Sequence, residues 1–112
     1  MKILIAIDEN NGPDSKLSEH FGHCPFFAIY ETNTKKLRIV INELDHSSSG
    51  VTPVDQIMKF EPNIVFSKGM GKRAIGLFNE KGVKIKTGPY KTVIEVINNI
   101  NNLKELNEEC GH

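Results

Sequence analysis

The sequence predicts one α/β domain, a five-stranded mixed sheet with three helices covering its faces. Three observations predict it. The chain opens on an apolar run, Ile3-Leu4-Ile5-Ala6-Ile7, of the kind found in a strand buried on both faces. Two more strand-like runs follow before any helical periodicity, and from Thr52 onward helical and strand-like segments alternate. The 112 residues have room for one core, because domains commonly run to about 100–150 residues and such a chain buries roughly two-thirds of its unfolded surface without a disulfide staple.

Each element has a local cause. The first run ends at the polar Asp8, and its continuity places it at the centre of the sheet. Phe26-Phe27-Ala28-Ile29-Tyr30 is a second strand and Leu37-Arg38-Ile39-Val40-Ile41 a third, with Leu37, Ile39 and Ile41 on one face. The polar stretch Thr32-Asn33-Thr34-Lys35-Lys36 between them has the length of a hairpin loop. Thr52-Pro53-Val54-Asp55 reads as an N-cap, a proline at the first helical position and an acid at the third, and Val54, Ile57 and Met58 follow at helical spacing. Asn63-Ile64-Val65-Phe66 is a short strand. Residues 71–80 form a helix with Ala74, Leu77 and Phe78 on one stripe, stopped by Gly82. Val83-Lys84-Ile85 alternates like an exposed or edge strand. The last helix keeps Val93, Val96, Ile97, Ile100 and Leu103 on one face and turns Asn98, Asn99 and Asn101 to water.

Right-handed crossovers make the strands near residues 3, 37, 63 and 83 mutually parallel and leave the second antiparallel. That arrangement resembles the ribonuclease H-like architecture. There is no internal repeat or second domain; Ser47-Ser48-Ser49-Gly50 is the one low-complexity stretch, and residues 104–112 form a Cys/His-containing tail after a domain of residues 1–103.

Composition excludes several roles. Fourteen basic side chains balance 14 acidic ones, and a protein that neutralises a nucleic-acid backbone needs a cationic surplus. The opening apolar run is too short for a signal h-region or a span of about 20 residues. The expectation is therefore a cytoplasmic protein with no nucleic-acid or membrane partner. In that compartment Cys24 and Cys110 are expected to serve in thiolate chemistry or burial, not as a pair.

Ligands of open α/β sheets sit beyond the carboxyl ends of the parallel strands. That edge receives residues 9–25, 43–51, 67–71 and 87–90. Connections longer than about 12–15 residues are uncommon and usually functional; the longest one here carries Ser18-Glu19-His20-Phe21-Gly22-His23-Cys24. Imidazole and thiolate bind zinc, copper and iron-sulfur species, and the His20, His23, Cys24 spacing lets two side chains reach one metal from a turn. An alternative stays open: Phe21 anchors the loop, Gly22 supplies a positive φ, and the histidines are hydrogen-bonded surface groups. His46 lies on the same edge, either near these residues or in solvent.

Ser67-Lys68-Gly69-Met70-Gly71-Lys72-Arg73 joins a strand to a helix. Its glycines let backbone N–H groups approach an anion at the helix N-terminus, and Lys68, Lys72 and Arg73 add three charges. Ala74 stands where a G-x-G-x-x-G fingerprint has its third glycine, so this is no dinucleotide loop. A tight turn packing helix on strand explains the glycines equally well, and Met70 is either a soft contact or incidental. The tail residues Cys110 and His112 follow a helix expected to end at the opposite edge. They form a second site, an oligomer contact or a frayed end.

Catalysis is not expected. A two-metal nuclease gathers carboxylates on its sheet, but only Asp8 ends a strand and neither residues 26–30 nor 64–66 contain an acid. No G-x-S-x-G elbow is present and Cys24 has no orienting partner in sequence.

Residues 18–27, Ser-Glu-His-Phe-Gly-His-Cys-Pro-Phe-Phe, resemble the S-x-H-F-G-x-C-x-x-F motif of the dinitrogenase iron-molybdenum cofactor-binding family, which includes nitrogenase cofactor carriers. The resemblance extends through the opening strand, Pro62-Asn63-Ile64-Val65, the Gly69-Met70-Gly71 turn and Gly82-Val83-Lys84-Ile85. It implies a ribonuclease H-like domain that binds an iron-sulfur or iron-molybdenum cluster without catalysis, as a carrier or sensor, and meets a cofactor assembly or acceptor protein. It implies His20 as the cofactor ligand and Cys24 as a second; His23 fills a variable position, so its role rests on chemistry alone. A bulky anionic cluster needs exchangeable soft ligands, backbone donors and local positive charge. His20 and Cys24, the turn at Phe21 and Gly22, Gly69 to Gly71, and Lys68, Lys72 and Arg73 match those needs. A simple transition metal ion is an alternative cargo. Other readings are a small-anion or nucleotide module at Gly69-Met70-Gly71, and a protein-interaction domain without metal.

Overall fold

A computed structural model describes residues 1–43 and 53–106. Among them six strands form one sheet: β1 (Lys2–Ile7), β2 (Phe26–Glu31), β3 (Lys36–Ile41), β4 (Ile64–Phe66), β5 (Lys84–Thr87) and β6 (Lys104–Glu105), in the order β3-β2-β1-β4-β5-β6. Three helices, α1 (Pro53–Ile57), α2 (Lys72–Glu80) and α3 (Val93–Asn98), complete the fold.

The continuous apolar run became the central strand. β1 pairs antiparallel with β2 and parallel with β4, and none of Ile3 to Ile7 is more than 1% exposed. Alternation along the strand divides the interior in two. Leu4 and Ala6 join Val54, Ile57, Ile75 and Phe78 on the face covered by α1 and α2. Ile3, Ile5 and Ile7 join Val93 and Val96 of α3 on the other. β3 pairs antiparallel with β2, and β5 pairs parallel with β4, so β1, β3, β4 and β5 run in one direction and β2 opposes them.

The helices end where their residues dictate. α1 is only Pro53–Ile57 and continues as a 3₁₀ turn at Met58–Phe60, closed by Glu61 at φ 54°. Its expected cap, Thr52, lies outside the described residues. α2 is followed by Gly82 at φ 75°, the left-handed conformation in which glycine carries no Cβ penalty. α3 is shorter than the expected helix: it stops at Asn98, and Ile100–Asn102 form a 3₁₀ turn. Asparagine side chains compete for backbone partners, and Asn99 donates its amide to the Glu95 carbonyl at 2.7 Å.

The expected count of five strands is corrected to six, and β5 is not an edge strand. Leu103 and the half-buried Ile100 continue the apolar spacing of a helix, which hides the return of the chain to the sheet. Lys104 pairs with Thr87 and Glu105 with Lys86, antiparallel to β5. Two charged residues carry no period by which a strand can be read.

α3 starts on a carboxylate. Glu95 Oε2 accepts the N–H groups of Lys91 and Thr92, each at 2.9 Å, and the Thr92 hydroxyl at 3.1 Å. These bonds, the Lys91 N–H first among them, hold the Glu95 carboxyl below the usual carboxylate range. A depressed folded pKa stabilises the protein above the unfolded pKa, and that contribution is lost as pH falls through the folded value. Glu95→Gln is therefore expected to melt below wild type at neutral pH, with the gap in Tm closing as acid takes both proteins below the carboxylate range. A gap that persists unchanged in acid would assign the loss to packing.

Candidate functional site

The segment between β1 and β2 is long but fastened. Asp8 N–H donates to the Lys16 carbonyl at 2.8 Å, Ser18 N–H to that of Ala6 at 2.9 Å, and Leu17 N–H to that of Lys91 at 2.9 Å. Isolated bridges join Ile7 to Leu17 and Lys16 to Thr92, and Leu17 is buried in the α3-side core. The first part of the segment is thus stitched to β1 and to the entry of α3. It delivers the chain to Ser18 in a fixed position.

From there a tight turn forms. Ser18 Oγ accepts the His20 N–H at 3.1 Å, the His20 carbonyl accepts the His23 N–H at 3.1 Å, and Gly22 adopts φ 90°. The turn is held by its middle. Phe21 packs on the α2-side core with its ring centroid 5.8 Å from that of Phe27 and 6.0 Å, edge-on, from that of Phe78. With Phe21 pointing in, His20 and His23 are both exposed.

Asn42, just past β3, clamps the far side of the turn. Its Nδ2 donates to the Gly22 carbonyl at 2.9 Å and the Cys24 carbonyl at 2.7 Å, and its N–H donates to the Pro25 carbonyl at 2.9 Å. Beneath that clamp Cys24 is 3% exposed, among Leu4, Ala6, Phe27 and Met70. Burial pushes its thiol above the ordinary range, against the opposing pull of backbone N–H groups at Gly22 and Ile7. The structure therefore separates the three donors: two imidazoles in solvent and one thiol in the core.

The second corner follows β4. Ser67 is buried, and its Oγ donates to the Gly69 carbonyl while accepting the Gly69 N–H at 3.2 Å. The Ser67 N–H donates to the Lys86 carbonyl at 3.0 Å. Ser18 and Ser67 thus do the same work: each hydroxyl accepts the N–H of the residue two places on and folds the chain back, Ser67 directly after β4 and Ser18 directly after the bridge at Leu17. The Gly69 N–H is committed to Ser67, so an anion here would meet the first turn of α2 and its cations. Met70 is 5% exposed and packs in the same cluster as Cys24. Gly71 precedes α2 in extended conformation; Lys72 and Arg73 are exposed and Lys68 half-buried.

The loops after the neighbouring parallel strands β1 and β4 therefore both anchor in the α2-side core, the first through Phe21 and Cys24 and the second through Met70. His46, Cys110 and His112 lie outside the described residues. Among the described residues no group of three or more His, Cys, Asp or Glu is placed to hold a metal ion. Sequence reasoning missed Asn42, Ser18 and Ser67. The two serines had a readable signal, a hydroxyl placed to accept the N–H two residues on, plainest at Ser67 directly after the β4 run; Asn42 had none, since its partners are distant in sequence.

Fold and site together define a small α/β domain with a mixed sheet, presenting a histidine-bearing turn beside a cationic corner. The chain belongs to the dinitrogenase iron-molybdenum cofactor family, whose model matches residues 1–103. An uncharacterized protein of Methanocaldococcus jannaschii is 28% identical over 102 residues, covering 87% of this chain and 82% of the relative. The apo form of the orange protein from Desulfovibrio gigas superposes with a TM-score of 0.82 at 15% identity, over 98% of this chain and 96% of the other. The NMR structure of a Thermotoga protein provisionally assigned as NifB gives 0.81 at 22% identity, over 99% and 97%. No described helix is long and apolar enough to cross a membrane.

Asn42→Ala removes both carbonyl contacts that close the turn over Cys24. It is expected to cost about 1–3 kcal/mol in denaturant unfolding and to speed the reaction of Cys24 with a thiol reagent under native conditions. Labelling at the wild-type rate would show that Asn42 does not control access to the sulfur.

Proposed function

We propose that this chain is a non-catalytic carrier or sensor of an anionic metal-sulfur cluster, of iron-molybdenum or simpler iron-sulfur type, taken up at the His20 turn and passed to an assembly or acceptor protein. The observation that carries the proposal is the position of His20. Its neighbour Phe21 packs against the core while His20 stands in solvent, in a chain whose family is named for such a cofactor.

His20 is the first ligand, and His23 on the same turn is available as a second. Imidazole nitrogen is a borderline ligand suited to iron and other transition metals. Lys68, Lys72 and Arg73 draw the anionic cargo to this edge, an effect that weakens with salt. Cys24 enters as a ligand only when the turn lifts, because its sulfur is buried and must lose a proton to bind metal. Cargo capture by imidazole followed by thiolate engagement would give a weak and a tight state on one loop. The cluster supplies the redox chemistry; the chain holds, orients and releases it.

The strand order around β1, with β2 reversed, supports reading the architecture as ribonuclease H-like. A cytoplasmic location belongs to the same proposal. The commitment of the Gly69 N–H to Ser67 counts against the alternative of a nucleotide or small-anion module built on Gly69-Met70-Gly71.

Anaerobic reconstitution with ferrous iron and sulfide, followed by absorption spectra and metal analysis, tests the proposal. Wild type is expected to take up the cluster, His20→Ala to lose at least about tenfold in affinity, the worth of one strong ligand contact, and Cys24→Ser to bind but release faster. Uptake in His20→Ala equal to wild type would overturn the assignment.

A further inference from the structure

At the end of the sheet nearest the hairpin, β3 has β2 as its neighbour, and among the described residues no strand lies on its outer side. The ladder shows which of its backbone groups face outward. The Asn42 N–H donates to the Pro25 carbonyl at 2.9 Å, and the register repeats that pairing at Val40, Arg38 and Lys36. Alternate residues of an antiparallel pair turn their N–H and C=O groups away from the partner, so those of Leu37, Ile39 and Ile41 point out from the sheet. The strand contains neither a proline nor a break in register, two of the devices that blunt an edge.

The same residues share a face. Leu37 and Ile39 are half-buried against the α3-side core, and Ile41, next in the alternation, is 66% exposed. Lys36 and Arg38 are exposed on the other face, beside Val40, which packs on the α2-side core. The described chain leaves β3 at Glu43 and resumes at Pro53, in a helix whose Val54 and Ile57 belong to the α2-side core. The apolar stripe of β3 is on the opposite face.

We propose that the outer edge of β3 pairs antiparallel with β3 of a second copy, about a twofold axis at Ile39, so that two sheets become one. Because only alternate residues point outward, neighbouring registers differ by two residues, and charge chooses among them. With Ile39 opposite Ile39, Leu37 of one copy meets Ile41 of the other, Arg38 meets Val40 and Lys36 meets Asn42. Every outward N–H and C=O of Leu37, Ile39 and Ile41 then finds a partner. The next register in one direction sets Arg38 against Arg38, and like charges directly opposite are destabilising. The next in the other direction sets Leu37 against Glu43 and pairs fewer apolar residues. The edge is thus complementary to itself reversed, which is what a twofold contact between identical chains requires. One strand edge makes a contact at the small end of specific interfaces, so the pairing is reversible.

Sedimentation equilibrium of the full chain with reductant present, across roughly 10 μM to 1 mM where weak association falls, tests the proposal beside amide exchange followed by NMR. A concentration-dependent dimer is expected. As it forms, the N–H groups of Leu37, Ile39 and Ile41 should gain protection, while those of Arg38 and Val40, which face β2, change little. Ile41→Pro removes an outward N–H that β2 does not use, a substitution that edge strands tolerate, and is expected to abolish the dimer. Ile41→Lys keeps the main chain and should weaken dimerisation about tenfold, because the twofold axis counts the lost pair with Leu37 twice. A chain that stays monomeric throughout that range would overturn the proposal. So would a dimer that both variants leave intact, or one that forms without protecting those amides.

Discussion

The fold depends on one strand that has no exposed face. β1 places alternate side chains in two separate cores, so α1 and α2 on one side and α3 on the other are fixed by the same residues. Burial of a Leu or Ile side chain is worth roughly 1.5–3 kcal/mol, and four such side chains stand in succession around Ala6, each essentially inaccessible. The strand also sets where the site begins: its carboxyl end is Ile7, and the next residue starts the segment that leads to His20.

Much of the architecture was legible because burial leaves a period. The continuous run of β1, the hairpin of β2 and β3, the stripe on α2 and the directions of the strands all follow from residue patterns longer than a turn. The misreadings occur where no such pattern exists. β6 has two charged residues and a position after an apolar helical stripe, so its pairing is decided by the β5 edge and not by its own sequence. The length of α3 was overestimated for a related reason: Ile97 and Ile100 keep helical spacing, yet Asn99 ends the helix through local polar competition.

The candidate site was half legible. His20, Gly22 and the cations stand on the edge where topology puts them, and Phe21 serves as the anchor that one of the two sequence readings gave it. What pattern could not convey is depth. Cys24 is one residue from His23 and yet belongs to the core, because the turn reverses direction at Gly22 and Asn42 pulls the backbone of Cys24 inward. Adjacent residues with similar ligand chemistry therefore sit in different dielectric environments, the imidazoles in solvent and the thiol in the core.

The stitching of Leu17 to Ile7 and Lys91 divides the segment between β1 and β2 into two parts with different constraints. Residues 9–14 form a closed excursion whose ends are joined by the Asp8 to Lys16 bond. Lengthening it adds only a slowly growing closure entropy, about 0.6 kcal/mol for each doubling. Residues 18–25 run between fixed points at Ala6 and Asn42 with an aromatic wedge between, and an inserted residue there would turn Phe21 out of the core. Within one connection, length variation is therefore nearly free on one side of Leu17 and structurally prohibited on the other. Homologous chains can differ in the size of the first arm while presenting the histidine turn at the same place.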